Sequence, residues 1–386
     1  MQKYSEEAAE YARLSFLSDV NPDDALPWVV SFETEFSKII GTKYSIAVNS
    51  GTSGLHASLL ACNVKPGDEV ISPALTVIMD AFATAYVGAK PVFVDVDPHT
   101  WNIDPQKVEE AINSNTKAII AVSWFGLPAN LKELRAIADR YELFLIDDSA
   151  ETIILPNMGD KPNALPDIRV FSFENNKHIT TGGEGGMVTT NSHDLAVRIR
   201  KYAGLGYKHL SADKGRTQLD ARIFQNPSYR RFDTLGYNYR MTPLSAAVGI
   251  GQLRTLPEKL AMRRHCAEEF SKVTKRYSFL REQKVDQEIL HSYYTYGVFL
   301  DQNYSSLIKW QDIYDEFTNS GGDGFYANCA LPYQEPIFEQ HFGNTKCPVA
   351  ETLQLGILAF KTNYLSEEKL FKNTVLLNKV LEKVGV

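Results

Sequence analysis

The stretch FSFENNKHITTGGEGGMVTTN, residues 171–191, places Lys177 four residues beyond an apolar β-type run that ends at Phe173. A Thr/Gly-rich turn then leads to a second strand pattern, Gly186–Thr190. A lysine held between two strands of a mostly apolar domain loses hydration. Burial is therefore expected to pull its pKa down and make it a nucleophile able to form a Schiff base with an aldehyde. The alternative is a lysine that caps a strand and points to water, the commoner place for this residue type. Two further signals bear on the choice. LFLIDD (143–148) ends an apolar run on Asp147 and Asp148. A carboxylate there either caps a turn or, if buried, faces a cation, and a protonated pyridine nitrogen is such a cation. SGTSG (50–54) follows the β-branched run YSIAVN (44–49) and precedes the apolar-periodic LHASLLAC. Strand, glycine turn and helix in that order point backbone N–H groups at an anion. Taken alone, SGTSG is explained as well by a Ser/Gly helix cap, and the chain has no GxxxxGK[ST] phosphate loop. Aldehyde, pyridinium and phosphate together describe one molecule, pyridoxal 5′-phosphate.

For these groups to meet, the elements that carry them must share one scaffold. EVISPAL (69–75), PVFVDVD (91–97), KAIIAVSWFG (117–126) and LFLIDD read as strands, with helical patterns between them, among them one from about Pro105 and LKELRAIADRY. Nearly continuous apolar strands alternating with helices predict an α/β fold with a mostly parallel sheet covered on both faces. Ligands of such sheets sit at the carboxyl ends of strands, where Asp148 and Lys177 fall. The opening, to about Phe36, reads as a short helix and a Pro-containing connector. After a helix at about 194–202 comes a polar stretch, 205–233, of the length that is usually functional or mobile. TLGYNYRMTPLSAAVGIGQL (234–253) reads as an unusual turn leading into a helix. From about Leu256 a long charged helix, the strand-like YYTYGVFL (293–300) and a final helix from Glu367 suggest a smaller α/β unit. The expected division is residues 1–254, the large cofactor-binding domain, and 255–386, the small one.

Composition narrows the function classes. A chain of 386 residues is long for one core, which agrees with two domains. Apolar residues make up 44% and charged residues 23%, the values of an ordinary globular protein. With a net charge of −7 and the two signs interspersed, neither nucleic acid nor a membrane surface is indicated as a partner. The basic spot YRRF is too short to change that. Cys62, Cys266, Cys329 and Cys347 are scattered without metal-ligand spacing and read as reduced thiols, so no metal site is expected. The start, MQKYSEEAAEYAR, has no apolar signal core, and no run of about 20 apolar residues occurs. A cytoplasmic location is expected.

Several separated segments, in order, carry a resemblance. From FETEFSKIIGTKYSIAVNSGTSGLH through LGYNYRMTPLSAAVGIGQL to CPVAETL, the chain resembles the DegT/DnrJ/EryC1/StrS sugar aminotransferases. These are enzymes of PLP-dependent transferase fold type I, the aspartate aminotransferase-like fold, with a mostly parallel seven-stranded sheet and a smaller C-terminal domain. The resemblance implies that Lys177 bonds the cofactor and shuttles the proton between cofactor and substrate carbons. Asp148 would face the pyridine nitrogen, and Gly51, Thr52, Ser53 and Ser172 would bind the phosphate. Asn238 of GYNYR would reach the phosphate in a neighbouring subunit, which implies a homodimer with shared sites. The implied reaction is ping-pong transamination from L-glutamate to a keto sugar, nucleotide-linked, for surface-glycan or glycoside biosynthesis. Arg230 and Arg231, with Arg240 beyond them, lie in or beside the segment where the family builds its substrate site. A smaller phosphorylated ketone would satisfy the same arginines.

Four departures from the family pattern change particular contacts. Glu151 stands where glutamine commonly touches the cofactor's phenolic oxygen, and a carboxylate there must share or carry a proton. Val77 follows Thr76 where an aromatic ring usually stacks on the cofactor. TTGGEGG is one glycine longer than the usual TTGEGG, and ILAFKTNY (357–364) replaces a late LSLP segment. Related sugar 3-dehydratases carry histidine at the lysine position, in a run similar to HHITMGEGG. Here KHITTGGEGG keeps Lys177, which favours amino transfer over dehydration. His178 is shared with them and is a candidate on the substrate side or in support of the site. A non-catalytic regulator is the remaining alternative, and the joint presence of Lys177, Asp148 and Ser172 argues against it.

Overall fold

The computed structural model describes residues 3–18, 28–155, 166–213, 219–286, 289–304, 307–327, 329–342 and 345–385. The expected Pro-containing connector ahead of Phe36 lies outside them, as does the middle of the 205–233 stretch. Seven strands form one sheet: β1 (Tyr44–Val48), β2 (Glu69–Pro73), β3 (Lys90–Val94), β4 (Thr116–Val122), β5 (Phe144–Asp148), β6 (Ile168–Ser172) and β7 (Gly186–Thr190). Their order is β1-β7-β6-β5-β4-β2-β3. Neighbours from β3 to β6 pair in parallel, while β7 runs antiparallel to both β1 and β6. The helices Gly51–Ala61, Met79–Tyr86, Pro105–Ala111 and Leu131–Arg140 connect β1 through β5, as parallel strands require.

Side-chain alternation along the central strands decides what reaches the sheet's carboxyl edge. Ile119 and Leu145 pack with Leu134 and Ile137 of the helix Leu131–Arg140 on one face. Their chain neighbours Ile120 and Ile146, with Val170, pack with Leu55 and Leu59 of the helix Gly51–Ala61 on the other. Both faces are therefore covered, which is why these strands read as unbroken apolar runs. Continuing the alternation puts Asp148 and Ser172 on the face of Ile146 and Val170. Asp147 falls on the opposite face, where the Arg169 Nε donates to its Oδ2 at 3.0 Å. The two aspartates that end LFLIDD thus have different surroundings. At the open edge, the Ala47 N–H of β1 donates to Glu33 Oε1 at 2.8 Å, and Arg200 clamps both Glu33 oxygens at 3.0 and 2.8 Å. An edge strand leaves such backbone groups without a sheet partner, and a buried carboxylate supplies one.

Some local expectations change. SGTSG is not a turn ahead of a helix but the helix start itself, with Ser50 as its N-cap. The strand expected through 126 ends at Val122, and Trp124–Gly126 forms a tight 3₁₀ turn with Phe125 and Gly126 at φ 57° and 102°. A glycine that must take a left-handed φ ends a strand whatever the hydrophobicity around it. Beyond Leu256, β8 (Leu280–Glu282), β9 (Thr295–Leu300) and β10 (Ile357–Lys361) form an antiparallel sheet. Phe270 of the helix Leu256–Thr274 and Leu377 of the helix Glu367–Val384 share its core with Val298 and Phe360. The ILAFKTNY segment opens with β10. The four cysteines are free thiols. Among the described residues, no helix is long and apolar enough to cross a membrane.

Phe173, the last apolar residue before the Lys177 loop, is fully buried. Its ring lies 5.4 Å from that of Phe32 and 5.5 Å from that of Phe36, centroid to centroid, both on the helix Trp28–Ile40. Phe173→Ala is expected to lower the unfolding free energy by about 3–5 kcal/mol, measured by chemical denaturation. A loss below about 1 kcal/mol would mean that this aromatic cluster does not anchor the loop.

Candidate active site

The loop that carries Lys177 is closed by its own backbone. Phe173 N–H donates to the Gly185 carbonyl at 2.8 Å, Thr181 N–H to the Phe173 carbonyl at 3.3 Å, and Lys177 N–H to the Glu174 carbonyl at 3.0 Å. The Lys177 side chain is 13% exposed. Its Nζ stands 3.4 Å from Glu151 Oε1 and 4.1 Å from the centroid of the Tyr294 ring. Burial pushes the amine's pKa down, but its interactions with Glu151, Tyr294 and Asp148 outweigh it, and the net displacement is upward. This corrects the expectation of a depressed lysine. In the protein alone the amine is an ammonium, because desolvation is opposed by anions within reach.

Asp148 is buried, and its Oδ1 accepts the Ala150 N–H at 2.9 Å. Burial pushes its pKa up to about 6, against the pull of the Ala150 N–H and Lys177. At neutral pH it is mostly ionised and ready for a cation. Glu151 divides its oxygens between Lys177 and the Phe125 N–H, the latter at 3.0 Å. That N–H is available because the chain turns left-handed at Phe125 and Gly126. At Gly126 a Cβ would come within 2.8 Å of the Tyr293 and Tyr294 backbone nitrogens, so a glycine lets the segment before β9 press against the end of β4. Ser292 N–H donates to the Gly126 carbonyl at 2.9 Å. This contact brings Tyr294 over Lys177.

The helix start opposite fits an anion. A Cβ on Gly51 would stand 3.1 Å from the Ser172 Cβ, so the first helical turn lies directly against the end of β6. Ser50 Oγ accepts the Ser53 N–H at 3.1 Å, and Ser53 Oγ accepts the Ser50 N–H at 3.2 Å. This capping box occupies Ser53. It leaves the N–H groups of Gly51 and Thr52, the first two positions of the helix, without intrahelical partners and beside the Ser172 hydroxyl. An amine, an ionised carboxylate and an anion cradle are the donor set that pyridoxal 5′-phosphate needs, so the residues fit that cofactor. Val77 packs on the cluster that holds Trp101 and Phe125.

The remaining candidates are placed less uniformly. His178 is buried, and its Nε2–H donates to the Ser292 carbonyl at 3.2 Å. Burial and the Arg263 charge hold it well below the usual histidine range, so it is neutral and ties the loop to residue 292. Arg231 spends its guanidinium on the carbonyls of Phe224, Asn226 and Tyr229 in its own segment. Arg230 is exposed, as is Asn238, whose Oδ1 accepts from Arg240 Nε at 3.0 Å. The segment of Asn238 lies along the end of β1, with Asn49 N–H donating to the Tyr239 carbonyl at 2.8 Å. Sequence reasoning missed Tyr294, Gly126 and Arg263. Buried Arg263 donates to the carbonyls of Asn176, Lys177 and Tyr294 at 2.7, 3.2 and 2.8 Å. The Gly-x-Pro in WFGLP was a usable sign of the turn. Nothing in the helical pattern around Arg263 marked it off from its surface neighbours. Among the described residues, no group of three or more His, Cys, Asp or Glu could hold a metal ion.

Glu151→Gln removes the charge that holds the Lys177 amine protonated. The amine of the cofactor-free protein is expected to deprotonate at lower pH in this variant than in the wild type. The measurement is the pH dependence of Lys177 modification by an amine reagent, followed by mass spectrometry. An unchanged profile, or one displaced to higher pH, would show that the ion pair does not set the amine's charge.

Comparison with known proteins agrees with this geometry. The profile of the DegT/DnrJ/EryC1/StrS aminotransferase family matches residues 24–369. A GDP-perosamine synthase of Caulobacter vibrioides is 41% identical over 237 residues, 61% of this chain and 59% of that protein. The chain thus spans somewhat less than two thirds of that relative's length. A GDP-perosamine synthase of Escherichia coli O157:H7 is 31% identical over 335 residues, 84% of this chain and 82% of that one. The crystal structure of an aminotransferase from Psychrobacter cryohalolentis superposes with a TM-score of 0.88 at 27% identity, over 99% of this chain and 98% of that one. With a profile match across nearly its whole length and a relative above 30% identity over most of both chains, the chain belongs to the DegT/DnrJ/EryC1/StrS aminotransferase family.

Proposed function

We propose that this protein is a pyridoxal 5′-phosphate-dependent aminotransferase that moves an amino group from L-glutamate to the keto group of a nucleotide-linked sugar, for glycan biosynthesis. The observation that supports the reading is that the buried Lys177 amine and the Asp148 carboxylate act on each other, while the Gly51 helix start packs on Ser172 at the end of the strand that leads into the Lys177 loop. Pyridoxal 5′-phosphate would supply an aldehyde to carry the amino group and a protonated ring to spread negative charge. Lys177 would move the proton between cofactor and substrate carbons in each half-reaction. Asp148 would hold the proton on the ring nitrogen, and the Gly51 and Thr52 N–H groups with the Ser172 hydroxyl would bind the phosphate. Glu151 would meet the phenolic oxygen with the side that now faces Lys177.

The nucleotide-linked acceptor is supported by the names of the relatives, two of which are synthases of a GDP-linked compound. Arg230 is an exposed cation that would meet a diphosphate. We read the working unit as a cytoplasmic homodimer. The exposed Tyr86 and Tyr237, which flank His56, support an apolar contact around Asn238, from which that residue would reach the partner's site. The same reading divides the chain at Thr255, where the helices Pro243–Arg254 and Leu256–Thr274 meet.

The wild-type protein mixed with pyridoxal 5′-phosphate is expected to show a visible absorbance band that L-glutamate bleaches. Lys177→Ala is expected to lose the band and to slow amino transfer by about 10⁴-fold or more. A screen of nucleotide-linked keto sugars and small phosphorylated ketones against the glutamate-treated enzyme, read by mass change, identifies the acceptor. Exclusive use of small ketones would overturn the sugar assignment. Retention of the band in Lys177→Ala would overturn the lysine's role.

A further inference from the structure

Asp80 is a buried carboxyl that nothing above uses. It sits in the first turn of the helix Met79–Tyr86 and is fully shielded from solvent. Thr76 Oγ1 donates to its Oδ2 at 3.0 Å, while its Oδ1 has no donor. The carboxyl of Asp148 is near enough to act on it. The charges that act on it most, Asp148 and Glu151, are both negative. Two buried carboxyls in contact do not both ionise, and the proton stays on the one with the poorer support. Asp148 has the Ala150 N–H and the field of Lys177. Asp80 has one threonine hydroxyl.

We infer that Asp80 is the acid of a buried carboxyl pair, protonated at neutral pH and donating its O–H to Asp148, so that Asp148 stays ionised and is fixed toward the ring nitrogen it serves. The last clause rests on the aminotransferase reading; the pair itself does not. Asp80 is then a positioning residue that acts through Asp148. The orphan Oδ1 is explained, because an acid's hydroxyl is a donor and needs an acceptor, which the neighbouring carboxylate is. Burial, and after it the repulsion of Asp148, drives the Asp80 carboxyl well above the usual range. A protonated Asp80 also leaves the pair with a single negative charge, matched to one pyridinium.

Two variants test this. Asp80→Asn keeps the shape and an N–H donor toward Asp148, and Asp80→Leu keeps the volume without a donor. In infrared difference spectra of the cofactor-free protein at neutral pH, the wild type is expected to show a carboxylic-acid carbonyl band that Asp80→Asn lacks. Persistence of that band in Asp80→Asn overturns the proposal, whether or not Asp80→Leu folds. Affinity for pyridoxal 5′-phosphate, measured by equilibrium dialysis, is expected to stay within about threefold in Asp80→Asn. It should weaken about tenfold or more in Asp80→Leu, the effect of one charge-assisted hydrogen bond. Equal losses in both variants, or no loss in a folded Asp80→Leu, also overturn it. If the wild type does not bind the cofactor, the aminotransferase reading fails, while the infrared result still decides the carboxyl pair.

Discussion

One buried ammonium among carboxyl groups governs this cleft. Two unit charges about 4 Å apart at an effective dielectric near 20 interact by about 4 kcal/mol, which is enough to decide protonation. Lys177 can balance one neighbouring anion fully and a second in part. With Glu151 against its Nζ and Asp148 within its field, a third ionised carboxyl would be uncompensated. Arg263 also acts on Glu151, so the poorest support falls to Asp80, whose carboxyl has only the Thr76 hydroxyl as a donor.

The cleft is assembled from segments far apart in sequence, and backbone carbonyls do much of the joining. Residues 292–294 are fastened to the Lys177 loop by two side chains and to the turn after β4 by close backbone approach. His178 donates to the Ser292 carbonyl, Arg263 bridges the Tyr294 carbonyl to those of Asn176 and Lys177, and Gly126 admits the backbone approach. Buried carbonyls need donors, so the charge on Arg263 is spent on holding two loops in register. Burial lowers its pKa to about 10, which still leaves it protonated at neutral pH. The position of Lys177 relative to Tyr294 is in this way set by side chains that touch neither the amine nor the cradle.

The architecture was legible because its signals are local and repetitive. Unbroken apolar runs such as LFLID are the mark of strands covered on two faces, and the sheet bears them out. The lysine, the strand-end carboxylates and the glycine-led helix start were also visible as residue types in the right places. What could not be read is the balance of forces on each group. Burial alone argues for a depressed Lys177, yet the outcome depends on Glu151 and Tyr294, which lie 26 and 117 residues away in the chain. Asp147 and Asp148 look alike until the pleat sends them to opposite faces. Asp80 has an ordinary local reading, an acid in the first turn of a helix, and only the fold shows that it meets another carboxyl. The left-handed turn at Phe125 hid in the same way behind an aromatic run that looks like a strand.

The extra glycine of TTGGEGG shows how such a site absorbs a change in length. Gly182 and Gly183 both take left-handed φ values, 91° and 129°, and a Cβ at either would meet open space. The constraint there is backbone shape, not crowding. The Thr180 hydroxyl accepts the Gly183 N–H at 3.2 Å, and the Thr181 hydroxyl donates to the Glu184 carbonyl at 2.6 Å, so the turn is tied at both shoulders. On the strands that flank it the register is regular, with Ser172 opposite Gly186 and Phe171 opposite Met187. The added residue is accommodated within the loop and on the far side of Lys177. The spacing from Ser172 to Lys177, which sets the distance between cradle and amine, is therefore untouched, and an insertion at this point is one the chemistry can tolerate.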